Sequence, residues 1–199
     1  MSLDRSAAAE PKPHVHVILG STRTGRRGAA VARWVMRLAQ ERDDATFELV
    51  DLADWELPFL TTAVPPMMGG YEDPRTIEWA GNVARADGFV IVTPEYNHGY
   101  PAVLKNALDH LFAEWNGKPV GFVGYGGPDG GTRAVEQLRQ VVIELGMVPV
   151  RLQVTLARAY LHVDGRDTLS MDDRMPDARA LLGEVAAWAW RLRDPVRSA

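Results

Sequence analysis

The chain has 199 residues, of which 46% are hydrophobic and 24% are charged, and this composition excludes a wholly disordered protein. It contains no cysteine, which excludes disulfides, thiolate metal sites, iron–sulfur clusters and a cysteine nucleophile, and which fits a cytoplasmic location. The net charge of −4 argues against nucleic acid as the main partner, and no apolar run is long enough to predict a membrane span.

One domain is predicted, because a chain of this length buries a sizeable core without disulfides or metals. The first thirteen residues are rich in alanine, proline and charge and predict a disordered tail. The domain then covers residues 14–194, and residues 195–199 form a second short tail.

Short apolar runs alternate with amphipathic segments along this domain. The β-branched and apolar runs predict strands over residues 15–20, 46–52, 88–93, 119–125 and 148–154. Helical spacing of apolar residues predicts helices over residues 31–38, 74–84, 101–112, 132–145 and 178–192, with Gly146 ending the fourth. Residues 55–73 form a long irregular stretch, which is typical of a functional or mobile loop, and residues 157–177 are irregular too.

This alternation predicts an α/β fold in which helices cover both faces of a parallel sheet. Ligands of such sheets bind at the carboxyl ends of the strands. The turns after the first, third and fourth strands are therefore the candidate site.

The first turn runs from Gly20 to Gly28 and opens a helix. Its hydroxyl side chains, its three arginines (Arg23, Arg26 and Arg27) and the free N–H groups of a helix start suit a phosphate. It is neither a Walker A loop nor a G-x-G-x-x-G turn, so a polar turn with solvated arginines stays the alternative.

The turn after the third strand places two tyrosines, an amide and a histidine between Pro94 and Pro101. Aromatic faces and amides on a stiff backbone suit a flat heteroaromatic ligand, although local packing of the tyrosines explains the pattern equally well. The turn after the fourth strand has five glycines in residues 124–131, which lets a ligand approach the backbone; a flexible connector is the alternative.

Two further groups carry weaker signals. His14 and His16 share one face of the first strand, but no carboxylate or third histidine accompanies them in sequence, so packing or exposure is favoured over metal binding. Asp51 ends the second strand where dinucleotide-binding domains place a ribose-reading acid. Without a G-x-G-x-x-G turn, we interpret Asp51 as an exposed carboxylate.

Several motifs together resemble the NADPH-dependent FMN reductase family, a flavodoxin-like group that contains quinone, azo-dye and chromate reductases. They are Gly20-Ser-Thr-Arg23, Thr93-Pro-Glu-Tyr-Asn97, Gly99-Tyr-Pro-Ala-Val-Leu-Lys-Asn-Ala-Leu-Asp109, Glu114-Trp-Asn-Gly-Lys-Pro119 and Tyr125-Gly-Gly127. The resemblance runs from about residue 14 to residue 156. It implies a flavodoxin-like three-layer sandwich with five parallel strands in the order 2-1-3-4-5.

The resemblance also implies the site residues. The FMN phosphate would be held by Ser21, Arg23 and Arg26, although position 26 often holds a small hydroxyl residue in such loops. The isoalloxazine ring would be lined by Pro94, Glu95, Tyr96 and Asn97, largely through main-chain atoms. Its pyrimidine edge would be closed by Tyr125, Gly126 and Gly127. Family members are usually homodimers or homotetramers with the flavin near a subunit interface.

The implied function is an FMN-dependent NAD(P)H oxidoreductase that reduces quinones, azo compounds, similar small acceptors or free FMN. NADPH or NADH would donate hydride to FMN, and the acceptor would follow through the same pocket in a ping-pong cycle. No side chain has to act as a strict catalytic acid or base. Glu95 and His98 are weak candidates for a proton source, and a solvated loop charge is the alternative for Glu95.

A non-enzymatic electron carrier of the flavodoxin type is the second function class. Such carriers are usually more acidic, and their first turn has the pattern T-x-T-G-x-T. The mild charge and the arginines of this chain favour the enzyme. A homologue that has lost flavin and acts as a binding module is a third, weaker alternative.

Overall fold

The computed structural model describes residues 11–193. It contains five strands and five main helices, separated by short 3₁₀ turns. The strands are β1 (His14–Leu19), β2 (Thr46–Asp51), β3 (Gly88–Pro94), β4 (Pro119–Gly126) and β5 (Val148–Ala157). The helices are α1 (Gly28–Gln40), α2 (Pro74–Arg85), α3 (Ala102–Asp109), α4 (Thr132–Glu144) and α5 (Met175–Leu192). Residues 1–10 and 195–199 of the predicted tails lie outside the described residues.

The five strands form one parallel sheet in the order β2-β1-β3-β4-β5, which confirms the predicted order. Alternate residues of β1 enter different cores, as a strand's period of two requires. Val17 packs with α1 and α5 on one face, whereas Ile18 packs with α2, α3 and α4 on the other. The three-layer sandwich predicted from the sequence is therefore correct.

Several helix and strand boundaries predicted from the sequence differ from the observed ones. Strand β5 continues to Ala157, because its last residues pair with Gly124–Gly126 of β4. Helix α3 ends at Asp109 rather than residue 112, and the buried His110 ring just after it bonds Thr76 and the Pro58 carbonyl, both at 2.8 Å. Helix α5 begins three residues early, at Met175, because a proline is tolerated in a first turn.

The long loop over residues 55–73 is tied to the body of the protein. Asn106 accepts a hydrogen bond from the Leu60 amide at 3.1 Å and donates one to the Pro58 carbonyl at 2.8 Å. The Tyr71 hydroxyl donates to Glu114 at 2.8 Å. These bonds to α3 and the turn after it fix the path of a segment that has little regular structure.

No helix within residues 11–193 is both long enough and apolar enough to cross a membrane.

Candidate functional site

The turns after β1, β3 and β4 lie side by side at one edge of the sheet. The Gly20 amide donates to the Val92 carbonyl at 2.9 Å, and the Glu95 amide donates to the Tyr125 carbonyl at 3.0 Å. Between the turns is an open cleft. Its lining consists of Arg23, Arg26, Arg27, Pro94, Glu95, Tyr96, Tyr125, Gly126 and Tyr160. Seven of the ten predicted site residues are in that lining, so the structure brings most of the predicted set together.

The other three predicted residues lie beside the cleft. Ser21 is fully buried, and its Oγ is 3.2 Å from the hydroxyl of Tyr125. Asn97 occupies a tight turn with His98, and both have positive φ, at 50° and 68°. Asparagine is among the residues that tolerate this conformation best. Gly127 is open, because a Cβ added there meets no atom within 4 Å.

The first turn presents unneutralised positive charge. Helix α1 begins at Gly28 without a side-chain cap and without an acidic residue in its first turn. The guanidinium of Arg23 donates to the Thr24 carbonyl at 3.3 Å, and it forms no ion pair among residues 11–193. Uncapped N–H groups and a guanidinium without a carboxylate partner within residues 11–193 are groups that favour an anion such as a phosphate.

Arg26 has a different environment from Arg23. Its guanidinium donates to the Ser21 carbonyl and to the carboxylate of Asp51. Asp51 also accepts the Ala53 amide at 2.9 Å and is half-buried, so the interpretation of Asp51 as an exposed carboxylate is wrong. Asp51 balances the charge of Arg26. Because Arg26 bonds both the Ser21 carbonyl and Asp51, it holds the first turn against the end of β2.

Glu95 is held as an anion by the start of α4. Its side chain is 7% exposed and accepts hydrogen bonds from the Nε of Arg133 at 2.6 Å and the Arg133 amide at 3.1 Å. Burial raises the pKa of Glu95, but the hydrogen bonds and charge of Arg133 outweigh it, so the pKa is lowered. The interpretation of Glu95 as a solvated loop charge is therefore wrong, whereas its role as a proton source stays a prediction. His98 lies outside the cleft lining and remains only a prediction.

Tyr125 closes the floor of the cleft. Burial raises the pKa of its hydroxyl, which stays protonated and pairs with Ser21. Helix α1 passes so close to this pair that a Cβ at Gly28 would clash with the Tyr125 hydroxyl. The first turn and the floor of the cleft are thus packed as one unit.

Two glycines of the fourth turn serve the protein's own packing. Gly131 has φ 87°, and a Cβ there would lie 2.6 Å from the Tyr125 amide nitrogen. Gly130 has φ 61°, and a Cβ there would lie 2.9 Å from the Ala157 amide nitrogen. Close packing of the backbone therefore explains the glycines at positions 130 and 131. The prediction that a glycine lets a ligand approach the backbone remains for Gly126 and Gly127.

Sequence reasoning placed Arg27 in the first turn without assigning it to the site, and it missed Tyr160. Tyr160 reaches the cleft because the Arg158 amide donates to the carbonyls of Gly126 and Gly127, each at 3.0 Å. This contact depends on the last residues of β5, which the sequence pattern did not predict. By contrast, the three arginines of the first turn could have predicted that Arg27 lines the cleft.

The histidine pair of β1 has a carboxylate partner after all. Glu48 of β2 lies opposite His16, and its Oε2 is 3.0 Å from Nε2 of His14 and 3.8 Å from Nε2 of His16. Burial, with a smaller contribution from His14, lowers the pKa of His16 to about 4. The packing predicted for His16 is confirmed, and the carboxylate that joins the pair in space comes from the neighbouring strand rather than from nearby in sequence.

The strand order and a cleft at the carboxyl ends of β1, β3 and β4 define a flavodoxin-like α/β protein. Solved structures agree at the level of fold. The NAD(P)H:acceptor oxidoreductase FerB of Paracoccus denitrificans superposes with a TM-score of 0.72 at 19% identity, over 90% of this chain and 98% of FerB. A Megasphaera elsdenii flavodoxin gives a TM-score of 0.55 at 19% identity, over 87% of this chain and 98% of its own.

The family model described as NADPH-dependent FMN reductase matches residues 13–160. An NAD(P)H-dependent FMN reductase of Schizosaccharomyces pombe is 44% identical over 73% of this chain and 74% of its own length. A quinone reductase of Escherichia coli K12 is 36% identical over 67% of this chain and 71% of its own length. The chain belongs to the NADPH-dependent FMN reductase family. It is an oxidoreductase that uses FMN and NAD(P)H, and the electron-carrier alternative is not favoured.

Proposed function

We propose that this protein passes electrons from NAD(P)H to quinones, azo compounds or similar small acceptors through FMN held in the cleft between the three turns. The observation that carries the proposal is the pairing of an uncapped helix start and a free Arg23 with an open aromatic cleft at the same sheet edge. Relatives named for quinone and azo reduction support this range of acceptors.

The residues of the first turn fit the phosphate. Arg23 and the amides at the start of α1 would bind its oxygens, and Ser21 would hold the turn against Tyr125. Arg26, although it belongs to the predicted set, would act by bracing the turn through Asp51. The donor set therefore divides into one arginine that contacts the anion and one that positions the backbone.

The other two turns fit a flat ring. Pro94, Glu95, Tyr96 and Asn97 would line it with main-chain atoms, and Tyr125, Gly126 and Gly127 would close its pyrimidine edge. FMN bound there would supply two-electron redox chemistry between NAD(P)H and the acceptor.

The chain's own groups orient the ring and stabilise charge. The amides of Gly126 and Gly127 would donate hydrogen bonds to the edge where negative charge builds on reduction, as preorganised donors do elsewhere. Arg133 keeps Glu95 anionic, so this carboxylate holds the third turn against α4. Tyr96 and Tyr160 are exposed aromatic members of the lining, on which a planar acceptor would stack.

Spectroscopy under anaerobic conditions tests the proposal. We expect the purified protein to be yellow, to be bleached by NADPH, and to regain its colour with a quinone. Turnover with quinones, azo dyes, metal oxyanions and free FMN would then rank the acceptors. A colourless protein that also fails to take up added FMN would overturn the proposal.

We further propose a homodimer or homotetramer located in the cytoplasm. Four large apolar side chains of the loop over residues 55–73 are between 56% and 78% exposed, and a second copy of the chain would cover them. They are Phe59, Val64, Met67 and Met68. Light scattering should give twice or four times the chain mass, and a monomer would contradict the proposal. Cell fractionation would test the location.

A further inference from the structure

Three side chains of types that can bind metals, His14, His16 and Glu48, meet at the amino end of the sheet, on its face towards α2. His14 and His16 point to the same side of β1 because they are two residues apart, and the parallel register sets Glu48 of β2 beside His16. One ligand atom from each residue lies within 4.8 Å of the other two. This arrangement follows from strand pairing alone and needs no loop.

His16 is the reason to look for a ligand here. The residue is 0% exposed, and neither of its ring nitrogens has a hydrogen-bond partner within the described part of the chain. A buried polar group without a partner is rare in folded proteins, since it loses its hydration without compensation. Its Nε2 faces the Glu48 carboxylate at 3.8 Å, which is too far for a hydrogen bond and leaves space between them.

His14 directs its Nε2 into the same space. The Thr46 hydroxyl donates to the Pro13 carbonyl at 3.3 Å, so it can accept from Nδ1–H of His14 at 3.0 Å. Nε2 of His14 is 3.0 Å from Oε2 of Glu48 and donates to it when it carries the ring proton, whereas with the proton on Nδ1 its lone pair is available to a metal ion. An outer hydrogen bond that fixes the imidazole in this way is typical of metal-ligating histidines.

We propose that His14, His16 and Glu48 form a binding site for a divalent transition metal of the zinc class. Two imidazoles and a carboxylate are donors that Zn²⁺ prefers, with water completing a tetrahedron. Ligand atoms of such a site are about 3.3 Å apart, given metal–ligand distances of about 2.0–2.1 Å. The two nitrogen-to-oxygen distances of 3.0 and 3.8 Å bracket that spacing.

The positive charges around the cluster permit a metal. Arg85 contacts both oxygens of Glu48, at 3.2 and 3.3 Å, but it is 54% exposed and can swing away into solvent. Lys118 donates to the Val83 and Ala84 carbonyls at 2.9 and 3.3 Å, which directs its ammonium towards the end of α2. Glu48 and His14 are partly exposed, which gives the ion a path to the buried His16.

The site is separate from the flavin cleft, which lies at the opposite ends of these strands. A metal bound by His14, His16 and Glu48 would link the edge strand β2 to β1, so its expected effect is on stability. Because the metal binds the folded chain, it should raise the melting temperature as its concentration increases.

Zinc content tests the inference on tag-free, FMN-loaded protein. After incubation with ZnCl2 and gel filtration, the wild type should retain one zinc per chain by mass spectrometry. CoCl2 should give the visible absorption bands of tetrahedral cobalt. His16→Phe, which keeps an aromatic ring of similar size, and the half-exposed Glu48→Gln should each weaken zinc binding at least about tenfold.

Two variants serve as controls. His162→Ala removes an exposed histidine outside the cluster and should leave zinc binding unchanged. Arg85→Ala removes a competing cation and should bind zinc as tightly as the wild type or more so.

Several outcomes would refute the site. The first is that the wild-type protein retains no more zinc than Glu48→Gln does. The second is that His162→Ala loses as much zinc as the cluster variants. The third is that every variant gives a cobalt spectrum of octahedral type. Any of these would leave an ion pair between His14 and Glu48 as the whole function of the cluster. FMN absorbance, recorded on the same samples, should not change between variants.

Discussion

A methyl group at position 28 should disturb both the fold and the proposed flavin site. In Gly28→Ala the new Cβ would clash with the Tyr125 hydroxyl, lie 2.8 Å from Cδ1 of Leu19 and lie 3.0 Å from Oγ of Ser21. The Leu19 methyl can rotate, but the Tyr125 ring is buried and cannot leave without opening the core. Either α1 or the Ser21–Tyr125 pair must move.

The size of the effect follows from general costs of overpacking. Inserting a methyl group into a well-packed site costs about 1–3 kcal/mol of unfolding free energy. The matched control is Gly81→Ala, in the exposed middle of α2, where an added Cβ meets nothing within 4 Å. That change should stabilise the protein by about 0.5–1 kcal/mol, because alanine favours a helix over glycine. The two variants should thus shift stability in opposite directions.

Urea unfolding of the flavin-free protein measures this difference, and quenching of FMN fluorescence measures affinity. We expect Gly28→Ala to unfold at lower urea than the wild type and to bind FMN at least about tenfold more weakly, a change of about 1.4 kcal/mol. Gly81→Ala should bind FMN as the wild type does. Equal stability of the two variants together with unchanged affinity would refute the packing of α1 against Tyr125.

The remaining predictions concern single side chains. Arg23→Ala should weaken FMN binding by about 1.5–3 kcal/mol, the range for hydrogen bonds to a charged group, and unchanged affinity would mean that the phosphate lies elsewhere. Tyr125→Phe should lower the unfolding free energy by about 1–3 kcal/mol, because Ser21 loses its buried partner; a neutral result in urea unfolding would contradict the Ser21–Tyr125 contact. Hydrogen bonds from Arg75 lower the pKa of Asp73 to about 2 from its ordinary value near 3.8. Because the folded pKa is the lower one, this contribution is complete above pH 3.8 and disappears as the pH falls to about 2. Melting curves across that window should show a smaller pH dependence in Asp73→Asn, and identical slopes would argue against this linkage.

Elements with a strong local pattern could be predicted from the sequence. The continuously apolar run that became β3 is fully buried, and Gly146 has the positive φ, 67°, expected just after a helix. The paired motifs around Arg23 and Asn97 carried enough information to name the family and its strand order. These features depend on residues near one another in the chain.

Features that depend on distant pairing were not predictable. Glu48 joins His16 through the register of two strands, and Arg133 neutralises Glu95 from 38 residues away. Tyr160 reaches the cleft through backbone bonds of Arg158, which leave no trace in side-chain composition. Sequence patterns therefore located the turns, while the partners of their charges required the three-dimensional structure.

The backbone hydrogen bonds of Arg158 affect which residues near the cleft can be substituted without loss of the fold. The Arg158 amide and the buried Ala159 hold the segment leading to Tyr160 over the fourth turn, and Tyr160 itself is half-exposed, so the fold places few demands on the side chain at position 160. Substitutions there can reshape the rim of the cleft while the scaffold stays intact. Evolution, or a designer, could therefore alter the wall of the proposed flavin site at this one position without rebuilding the protein.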